Sequence, residues 1–464
     1  MKYGRQNIID YFAKGKFPIS YGTILFYGEL FDKIGGLTRK LDGAEDYEFL
    51  VKLLSKGIDN INEPLYFYRN HDNQRSLKFY GSYANKRKFK AKIDNLRVLL
   101  VLDSFGVGGT ETHVITLAKG LIKKGISVTI LGGEGPLSSE FNKLGCKIYN
   151  MDFPISIPKD KQVINSLVNK IKNIINAENI NIIHGHQSSS GSMALEAAKS
   201  YNIPFIFTAH GMYYDDIVND KFNECNTIIS VSYPVYNWLN THGIPSIVIP
   251  NGVLYNDFKA TGSRELTEKE LNIPSDSIII TYCSRLAWGK IKTCKNLVRV
   301  TKDLSTLENF NIHSIIIGAG PGEKELLMDS KKANTYVGNE IIHYMGRQID
   351  VAKYYLASDV IVGSGRVTLE GMACNKPVIA TGNNGYCGLI TESNFDELWK
   401  LYFGDHGSLE PNTEYYLYRD LSNLYIKLSN GTLNIGDVYS KAKNLFDISI
   451  VIEQIINVYM SSFI

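Results

Sequence analysis

Residues 96–130, LRVLLVLDSFGVGGTETHVITLAKGLIKKGISVTI, establish the fold class of this chain. The segment opens with an apolar run, LRVLLVLDSF, typical of parallel strands that are buried on both faces. A glycine loop follows, and then apolar residues recur at the spacing of one helical face: Val114, Leu117, Ala118 and Leu121. ISVTI returns to an apolar run. Strand, loop, helix and strand in this order predict a βαβ unit within a parallel sheet.

The same alternation of apolar runs and helical patterns continues along the chain. Runs such as INIIHGH and PFIFTAHG belong to a first series, and runs such as SIIITYCSR and HSIIIGAG form a second series after a linker near residues 255–275. Two such series predict an α/β protein with two doubly wound Rossmann-like domains facing a cleft, at residues 96–255 and 256–447. A last helical stripe predicts a closing helix within residues 448–464: Ile448, Ile452, Ile455 and Tyr459.

The composition is that of an ordinary globular protein. Of the 464 residues 44% are hydrophobic and 21% charged, and the net charge of +3 is too small to indicate a nucleic-acid partner. The six cysteines include no C-x-x-C pair, so we expect free thiols in a reducing compartment. We find no signal-peptide core and no run near the ~20 apolar residues that span a bilayer. These features predict a cytoplasmic protein that can still lie at the inner face of a membrane.

Candidate site residues follow the predicted strands, because ligands of open α/β sheets bind beyond the carboxyl ends of the strands. They are Gly108, Gly109, His184, His186, His210, Asn251, Arg285, Lys290, Gly318, Gly320 and Glu370. Arg285 and Lys290 could together neutralise a diphosphate leaving group without a metal, or could be two surface cations. Glu370 could accept hydrogen bonds from a ribose diol, or could simply stabilise a helix dipole.

The glycine loop also suggests a dinucleotide-binding fingerprint. G-x-G-x-x-G would need glycines at Gly106, at Gly108 and at the position of Glu111. A carboxylate there would face the pyrophosphate, and the close packing of the third glycine would be lost. Glu134 stands roughly where such folds place a ribose-binding acid. A glycine turn that lets a ligand approach the backbone is nevertheless the better interpretation.

Taken together, these stretches resemble the retaining GT-B glycosyltransferases of family 4 over residues 96–464. GGTETHVITLAKGLIKKGISVTI, FIFTAHG, SRLAWGK, IIIGAGP and LEGMACNKPVIAT each resemble an element of that family and occur in its order. The resemblance implies a metal-independent hexosyltransferase without a cofactor. It would use a nucleotide sugar, with a UDP-sugar favoured over a GDP-sugar, and a saccharide or lipid-linked acceptor in surface polysaccharide or glycoconjugate biosynthesis. The alternative is a non-catalytic nucleotide-sugar-binding or scaffold subunit of a polysaccharide assembly complex.

The resemblance also implies roles for individual residues. His210 would hydrogen-bond the transferred sugar, and Arg285 and Lys290 would hold the diphosphate. The donor-binding residues would be Gly109, Gly320, Val367, Thr368 and Glu370. The acceptor-binding residues would be Gly108, Glu111 and His186. His186 could equally be a strand-end histidine bonded to the backbone.

One position departs from the family pattern. The second glutamate that the family often carries eight residues before Glu370 is Val362 here, which leaves the identity of the donor sugar open. The family's front-face mechanism uses the leaving phosphate to deprotonate the incoming hydroxyl, so no strong general base is required. No metal site is implied, because the sequence contains no D-x-D motif.

Residues 1–80 contain a different pattern. In GAEDYEFLVKLLSKG, residues 43–57, Glu45 and Asp46 could be the charged first turn of a helix or an acid–base pair. With EPLYFYRNH, this region resembles the acceptor-side half of a family 2 GT-A glycosyltransferase, in which the aspartate is the general base. The nucleotide-binding half with its D-x-D motif does not precede it. Either the chain is part of a longer bifunctional enzyme, or the region is a small α+β remnant or truncated module, and we expect the second, with Glu45 and Asp46 vestigial.

Residues 81–95 predict a basic helical linker. Its cations extend over residues 86–97: Lys86, Arg87, Lys88, Lys90, Lys92 and Arg97. They could form a solvated helix face, or they could attract anionic lipid head groups at a membrane surface.

Overall fold

The computed structural model describes residues 96–259, 263–287 and 289–463. The predictions for residues 1–80, for the linker at 81–95 and for Glu45 and Asp46 lie outside these residues. Contacts divide the described chain into two units. The first contains residues 96–231, 235–252 and 449–463, and the second contains residues 232–234 and 253–448.

The first unit is built on a seven-stranded parallel sheet in the order β3-β2-β1-β4-β5-β6-β7. The strands are β1 Arg97–Ser104, β2 Ser127–Gly133, β3 Lys147–Asn150, β4 Ile182–Gly185, β5 Phe205–Ala209, β6 Thr227–Ser230 and β7 Ile247–Val248. Arg97, which we had assigned to the basic stretch, is the exposed first residue of β1, and its backbone N–H donates to Asn181 Oδ1 over 2.9 Å.

Helices cover both faces of this sheet, as the doubly wound pattern predicts. They are α1 Gly109–Lys123, α2 Ser138–Lys143, α3 Lys161–Glu178, α4 Ser188–Tyr201, α5 Asp216–Phe222, α6 Tyr233–Thr241 and the C-terminal α15 Ile448–Ser461. The apolar face predicted for α1 is confirmed, since all four of its residues are fully buried: Val114, Leu117, Ala118 and Leu121. Ile452, Ile455 and Tyr459 of α15 are buried as well.

The second unit has a six-stranded sheet in the order β10-β9-β8-β11-β12-β13, parallel except for β13. The strands are β8 Ile278–Cys283, β9 Ile312–Ile317, β10 Ile342–Tyr344, β11 Val360–Gly363, β12 Val378–Gly382 and β13 Gly385–Leu389. The helices are α7 Ser263–Leu271, α8 Lys290–Leu307, α9 Glu323–Val337, α10 Ala352–Ala357, α11 Arg366–Ala373, α12 Phe395–Lys400, α13 Glu414–Ser429 and α14 Val438–Phe446, with a 3-10 turn at Tyr255–Phe258.

The amino ends of the second sheet are held by one ionic network. Arg264 Nη1 donates to both carboxylate oxygens of Asp359, at 2.9 and 2.8 Å, and Nη2 donates to the Ser277 carbonyl at 2.8 Å. The Asp359 carboxylate also accepts from the backbone N–H of Ile279 at 2.8 Å. This network fixes the starts of β8 and β11 and leaves their carboxyl ends for other residues.

In both sheets the order of the strands reverses, because the fourth strand of the unit lies on the other side of the first strand. The order runs outward through β1, β2 and β3 in the first unit and continues on the other side of β1 with β4. β8, β9, β10 and β11 repeat this arrangement in the second unit. Such reversals are where doubly wound folds bind ligands. The prediction of two Rossmann-like α/β domains is confirmed. Among the residues described, no helix is both long and apolar enough to cross a membrane.

Candidate functional site

The first unit brings predicted residues to the reversal between β1 and β4. Gly108 and Gly109 lie in the loop after β1, with Gly108 capping α1 and Gly109 beginning it. Glu111 lies in the first turn of that helix. His186 follows β4 and His210 follows β5 at the same carboxyl edge.

The two loop glycines have different surroundings. A Cβ added at Gly108 would meet Glu111 Oε2 at 2.5 Å, whereas a Cβ added at Gly109 would meet nothing within 4 Å. Gly108 is therefore required by the packing of the Glu111 side chain. Gly109 exposes open space beside the helix start, where a ligand can approach the backbone.

Hydrogen bonds hold Glu111 against the strand edge. Gln187 Nε2 donates to Glu111 Oε1 at 2.9 Å, while Gln187 Oε1 accepts from the backbone N–H of Asp103 at 2.6 Å. Asp103 in turn accepts from the backbone N–H of Ser190 at 2.8 Å. Burial raises the pKa of Asp103 even though the Ser190 hydrogen bonds act to lower it. Glu111, which a dinucleotide fingerprint would not tolerate, thus links α1 to the turn between β4 and α4.

We expect Gly109→Ala to leave the fold intact and to impair any ligand that binds against this backbone. The added methyl group has free space, and the position does not need a left-handed backbone. The free energy of unfolding should change by no more than a few tenths of a kcal/mol, as is typical of such surface substitutions. Sugar-transfer activity should fall. Gly106→Ala is the matched control, because its Cβ would meet only Ser104 Oγ at an ordinary 3.4 Å. Equal activity in both variants and in the wild type would show that Gly109 is not part of the site.

His184, one of the strand-end candidates, belongs to the core of the first unit. It is fully buried, and both ring nitrogens are bonded: Nδ1 to the Tyr459 hydroxyl and Nε2 to Thr208 Oγ1, each at 2.7 Å. Burial, with a smaller contribution from His210, lowers the pKa of His184 to about 3, so its ring is neutral at physiological pH. With both nitrogens engaged, this side chain is a structural link between β4, β5 and α15.

Tyr459→Phe should destabilise the chain, because the hydroxyl that bonds His184 Nδ1 is removed from a buried position. Leaving a buried polar group unsatisfied costs about 1–3 kcal/mol. Denaturant unfolding measures the loss. Tyr149→Phe is a control, since the Tyr149 hydroxyl donates a hydrogen bond of 2.7 Å to Glu178 at a partly exposed site. A smaller loss at Tyr459 than at Tyr149 would contradict this assignment.

His186 and His210 are brought into contact, together with a third histidine that we did not predict. His186 Nδ1 lies 3.3 Å from His210 Nε2, and the ring centroid of His113 lies 5.5 Å from that of His186 and 5.1 Å from that of His210. Burial, followed by the neighbouring histidines, lowers the pKa of His186 well below its usual value. His210 is partly exposed, and its backbone N–H donates to the Tyr214 hydroxyl at 2.9 Å.

The second unit places Lys290 at the first position of α8, just after β8. Its Nζ lies 3.0 Å from Asp405 Oδ1, an oxygen that also accepts from Ser364 Oγ at 2.9 Å. Burial acts to raise the pKa of Asp405, but Lys290, His406 and Ser364 outweigh it and hold the pKa below its usual value. Arg285, in the loop between β8 and α8, is exposed. Lys290 is therefore held in place by a carboxylate before any ligand binds.

Gly320 contributes to the packing of the loop that carries Arg285. Gly318 and Gly320 have φ values of +146° and +156°, and an added Cβ would meet the carbonyl oxygens of Ser284 at 1.9 Å and Leu286 at 2.6 Å respectively. The backbone N–H of Leu286 donates to the Ala319 carbonyl at 3.0 Å. The glycines thus allow two neighbouring strand-end loops to touch, which is a structural reason for Gly320 beside its predicted donor-binding role.

Val367 and Thr368 lie in the first turn of α11, behind a left-handed Gly365. That glycine has φ +53°, and a Cβ there would meet Asp405 Oδ2 at 2.8 Å, so the turn lies directly against Asp405. The backbone N–H groups of Val367 and Thr368 donate to the carbonyls of Ser364 and Gly365 over 3.2 Å each. These long bonds are weak, and a bound anion would share their donors.

Glu370 is buried on α11 and paired with an arginine one turn earlier. Arg366 Nε donates to Glu370 Oε1 at 2.7 Å, and the two side chains are only 12% and 8% exposed. Burial raises the pKa of Glu370 above its usual value despite the opposing effect of Arg366. The desolvation of ionised Glu370 therefore costs free energy that its attraction to Arg366 does not fully offset.

Three residues of these sites were missed from sequence: His113, Arg366 and Asp405. Arg366 had a detectable signal, since it precedes Glu370 by four residues on a predicted helix, the spacing of a helical ion pair. His113 shares its helix with the predicted glycine loop, but nothing local pairs it with two strand-end histidines. Asp405 lies far along the chain from Lys290, in a segment without a motif.

Comparisons with known proteins agree with this architecture. Residues 107–254 match the family Glycosyltransferase Family 4, and residues 263–399 match Glycosyl transferases group 1. The phosphatidylinositol N-acetylglucosaminyltransferase GPI3 subunit of Saccharomyces cerevisiae is 25% identical over 306 residues, covering 60% of this chain and 66% of that protein. The chain thus spans just under two thirds of that relative's length.

Two solved structures share the fold. A glycosyltransferase from Rickettsia africae superposes with a TM-score of 0.64 at 22% identity, covering 80% of this chain and 99% of that one. Anabaena Alr3699/HepE in complex with UDP-glucose gives 0.61 at 17% identity, covering 78% and 98%. The two matched segments together cover more than half of the chain. The chain belongs to the GT-B glycosyltransferases of family 4 and group 1.

Proposed function

We propose that this protein is a retaining, metal-independent hexosyltransferase that moves a sugar from a nucleotide-sugar donor to a saccharide or lipid-linked acceptor, in surface polysaccharide or glycoconjugate biosynthesis. The observation that carries the proposal is the arrangement at the carboxyl edge of the second sheet. There a held cation, Lys290, begins the helix that follows β8, and a buried carboxylate, Glu370, lies on the helix that follows β11. These two strands flank the reversal.

In the proposed reaction, Lys290 and Arg285 neutralise the diphosphate as it departs. The bond between the sugar's anomeric carbon and the diphosphate breaks, and the acceptor oxygen bonds to the same carbon on the same face. The acceptor proton passes to a departing phosphate oxygen, which makes a separate base unnecessary. Glu370 accepts hydrogen bonds from the nucleotide ribose. Gly320, Val367 and Thr368 contribute backbone contacts to the donor.

The first unit is proposed to bind the acceptor and to complete the sugar's contacts. His210 would hydrogen-bond a hydroxyl of the transferred sugar, and Gly109 would let the ligand approach the start of α1. Gly108, Glu111 and His186 would form the acceptor side. The open space at Gly109 and the partial exposure of His210 support these assignments.

The comparisons support particular substrate classes. The bound UDP-glucose named for the Anabaena structure favours a UDP-sugar over a GDP-sugar. The phosphatidylinositol named for the yeast relative favours a lipid-linked acceptor. A lipid acceptor would suit membrane-surface contact through the basic residues 86–97.

The test is to incubate the full chain with labelled UDP- and GDP-sugars and a panel of saccharide and lipid acceptors. We expect release of the nucleoside diphosphate and a product that keeps the donor's anomeric configuration, read by NMR. A product of inverted configuration would overturn the retaining mechanism. A donor that raises the melting temperature by mass action, without nucleotide release for any acceptor, would instead indicate a non-catalytic binding subunit.

A further inference from the structure

Three histidines of the first unit converge on one point. His113 comes from α1, His186 follows β4 and His210 follows β5, so three separate segments contribute one ring each. One nitrogen from each ring lies within 4.8 Å of the other two. His113 is 4% exposed and His186 1% exposed, while His210 is partly exposed and gives the cluster a route to solvent.

The spacing fits a metal ion that prefers imidazole ligands. Zn–N bonds of about 2.0–2.1 Å place two nitrogens of a tetrahedral site about 3.3–3.4 Å apart. The separation of His186 Nδ1 and His210 Nε2 is 3.3 Å. Three protein nitrogens with a fourth, open position are a common zinc arrangement.

The two ring nitrogens of His186 have different surroundings. Nδ1 faces His210, whereas Nε2 is inaccessible to solvent and has no hydrogen-bond partner among the residues described. Since one imidazole binds an ion through a single nitrogen, the spacing assigns Nδ1 as the ligand atom of His186. The ring centroid of His184 lies 4.2 Å from that of His186, but both nitrogens of His184 are engaged, so it is not a candidate ligand.

We propose that His113, His186 and His210 bind one divalent transition-metal ion of the Zn²⁺ class. Coordination needs neutral imidazoles. All three ligands belong to the first unit, whereas Lys290, the cation of the proposed diphosphate site, belongs to the second unit. A bound ion would occupy His186 and His210, and would therefore inhibit sugar transfer; this consequence rests on the proposed function.

The test is an equilibrium titration of the full chain with Zn²⁺ against a chromophoric chelator, without substrates. We expect one ion per chain, with affinity at least about tenfold lower in His113→Gln and in His186→Gln. His242→Gln is the control, because this exposed histidine lies outside the cluster, and it should bind as the wild type does. No binding by the folded wild type, or wild-type affinity in both cluster variants, would overturn the proposal.

A spectroscopic measurement on the wild type does not depend on whether the variants fold. Co²⁺ added to the wild type should give the visible absorption of a tetrahedral ion with nitrogen ligands, and Zn²⁺ should displace it. An octahedral spectrum would count against the site. Because neither measurement involves a sugar donor, failure here leaves the transferase proposal standing. An inactive protein that still binds Zn²⁺ would leave the metal site standing.

Discussion

Replacing Lys290 with alanine should lower kcat for sugar transfer by about 10²–10³-fold, the usual cost of removing one group that stabilises developing charge. The ammonium is placed at the start of α8 and held 3.0 Å from Asp405, so in the proposed reaction it would meet the diphosphate already oriented. Donor affinity should fall less than kcat, because the charge on the leaving group grows in the transition state. Steady-state kinetics with the preferred nucleotide sugar measures both quantities.

The same substitution also leaves Asp405 without its cation. Its side chain is about a fifth exposed, and losing a charged partner in such a place costs about 1–3 kcal/mol. Lys290→Ala combined with Asp405→Asn should recover stability but not activity, which separates a catalytic role from a structural one. Lys295→Ala is the matched control, since Lys295 lies on the same helix and is also paired with a carboxylate, Glu325. Full activity in Lys290→Ala would refute the assignment.

The pH dependence of stability follows from the sign of the Asp405 shift. The folded-state pKa lies below the unfolded value, near 3.8, so the stabilisation is complete above that value. It is lost as the pH falls through the lower, folded-state pKa. In Asp405→Asn the free energy of unfolding should therefore depend less steeply on pH in this range.

Glu370→Gln should weaken donor binding about 10- to 100-fold, the equivalent of a charged hydrogen bond to the ribose. The amide keeps a contact with Arg366, so the helix should remain folded. Burial raises the pKa of Glu370 in the wild type, which means that its charge is disfavoured in the folded state. The variant should thus be at least as stable as the wild type at neutral pH. Calorimetry with the nucleotide sugar and thermal unfolding provide the two measurements.

The pH profile distinguishes this role from simple packing. The folded-state pKa of Glu370 lies above the usual value of 4.5, so the folded protein binds the proton first as the pH falls. Donor affinity should decline through that raised pKa, and the decline should be absent in Glu370→Gln. The control is Glu414→Gln, which removes a surface glutamate also paired with an arginine, Arg299. Wild-type donor affinity in Glu370→Gln would exclude the ribose role.

The periodicity of the sequence was sufficient for the fold because parallel strands and their covering helices leave direct patterns. Val114, Leu117 and Leu121 recur at helical spacing because one face of α1 is buried, and that face is fully inaccessible in the structure. The glycine loop after β1 was recognised because a residue without a side chain lets a ligand approach the backbone, and Gly109 has open space beside it.

The site was predictable only where its residues follow strands. Lys290 and Glu370 lie on the helices that follow β8 and β11, but their partners Asp405 and Arg366 determine how each is charged and held. Asp405 meets Lys290 through tertiary folding that no local pattern encodes. His184 is the opposite case. Its position in the sequence made it a candidate for ligand binding, but both of its ring nitrogens are hydrogen-bonded within the core.

The hydrogen bond between Tyr459 and His184 links residues 275 positions apart. At synthesis rates of about 5–20 residues per second, β4 waits roughly 14–55 s on the ribosome for this partner. The second unit is made in full during that interval, so the first domain to emerge is the last to be completed. Until α15 arrives, the nascent first unit exposes the apolar surface that Val451 and Ile455 later cover. We therefore expect this unfinished Rossmann domain to be the aggregation-prone stage of synthesis.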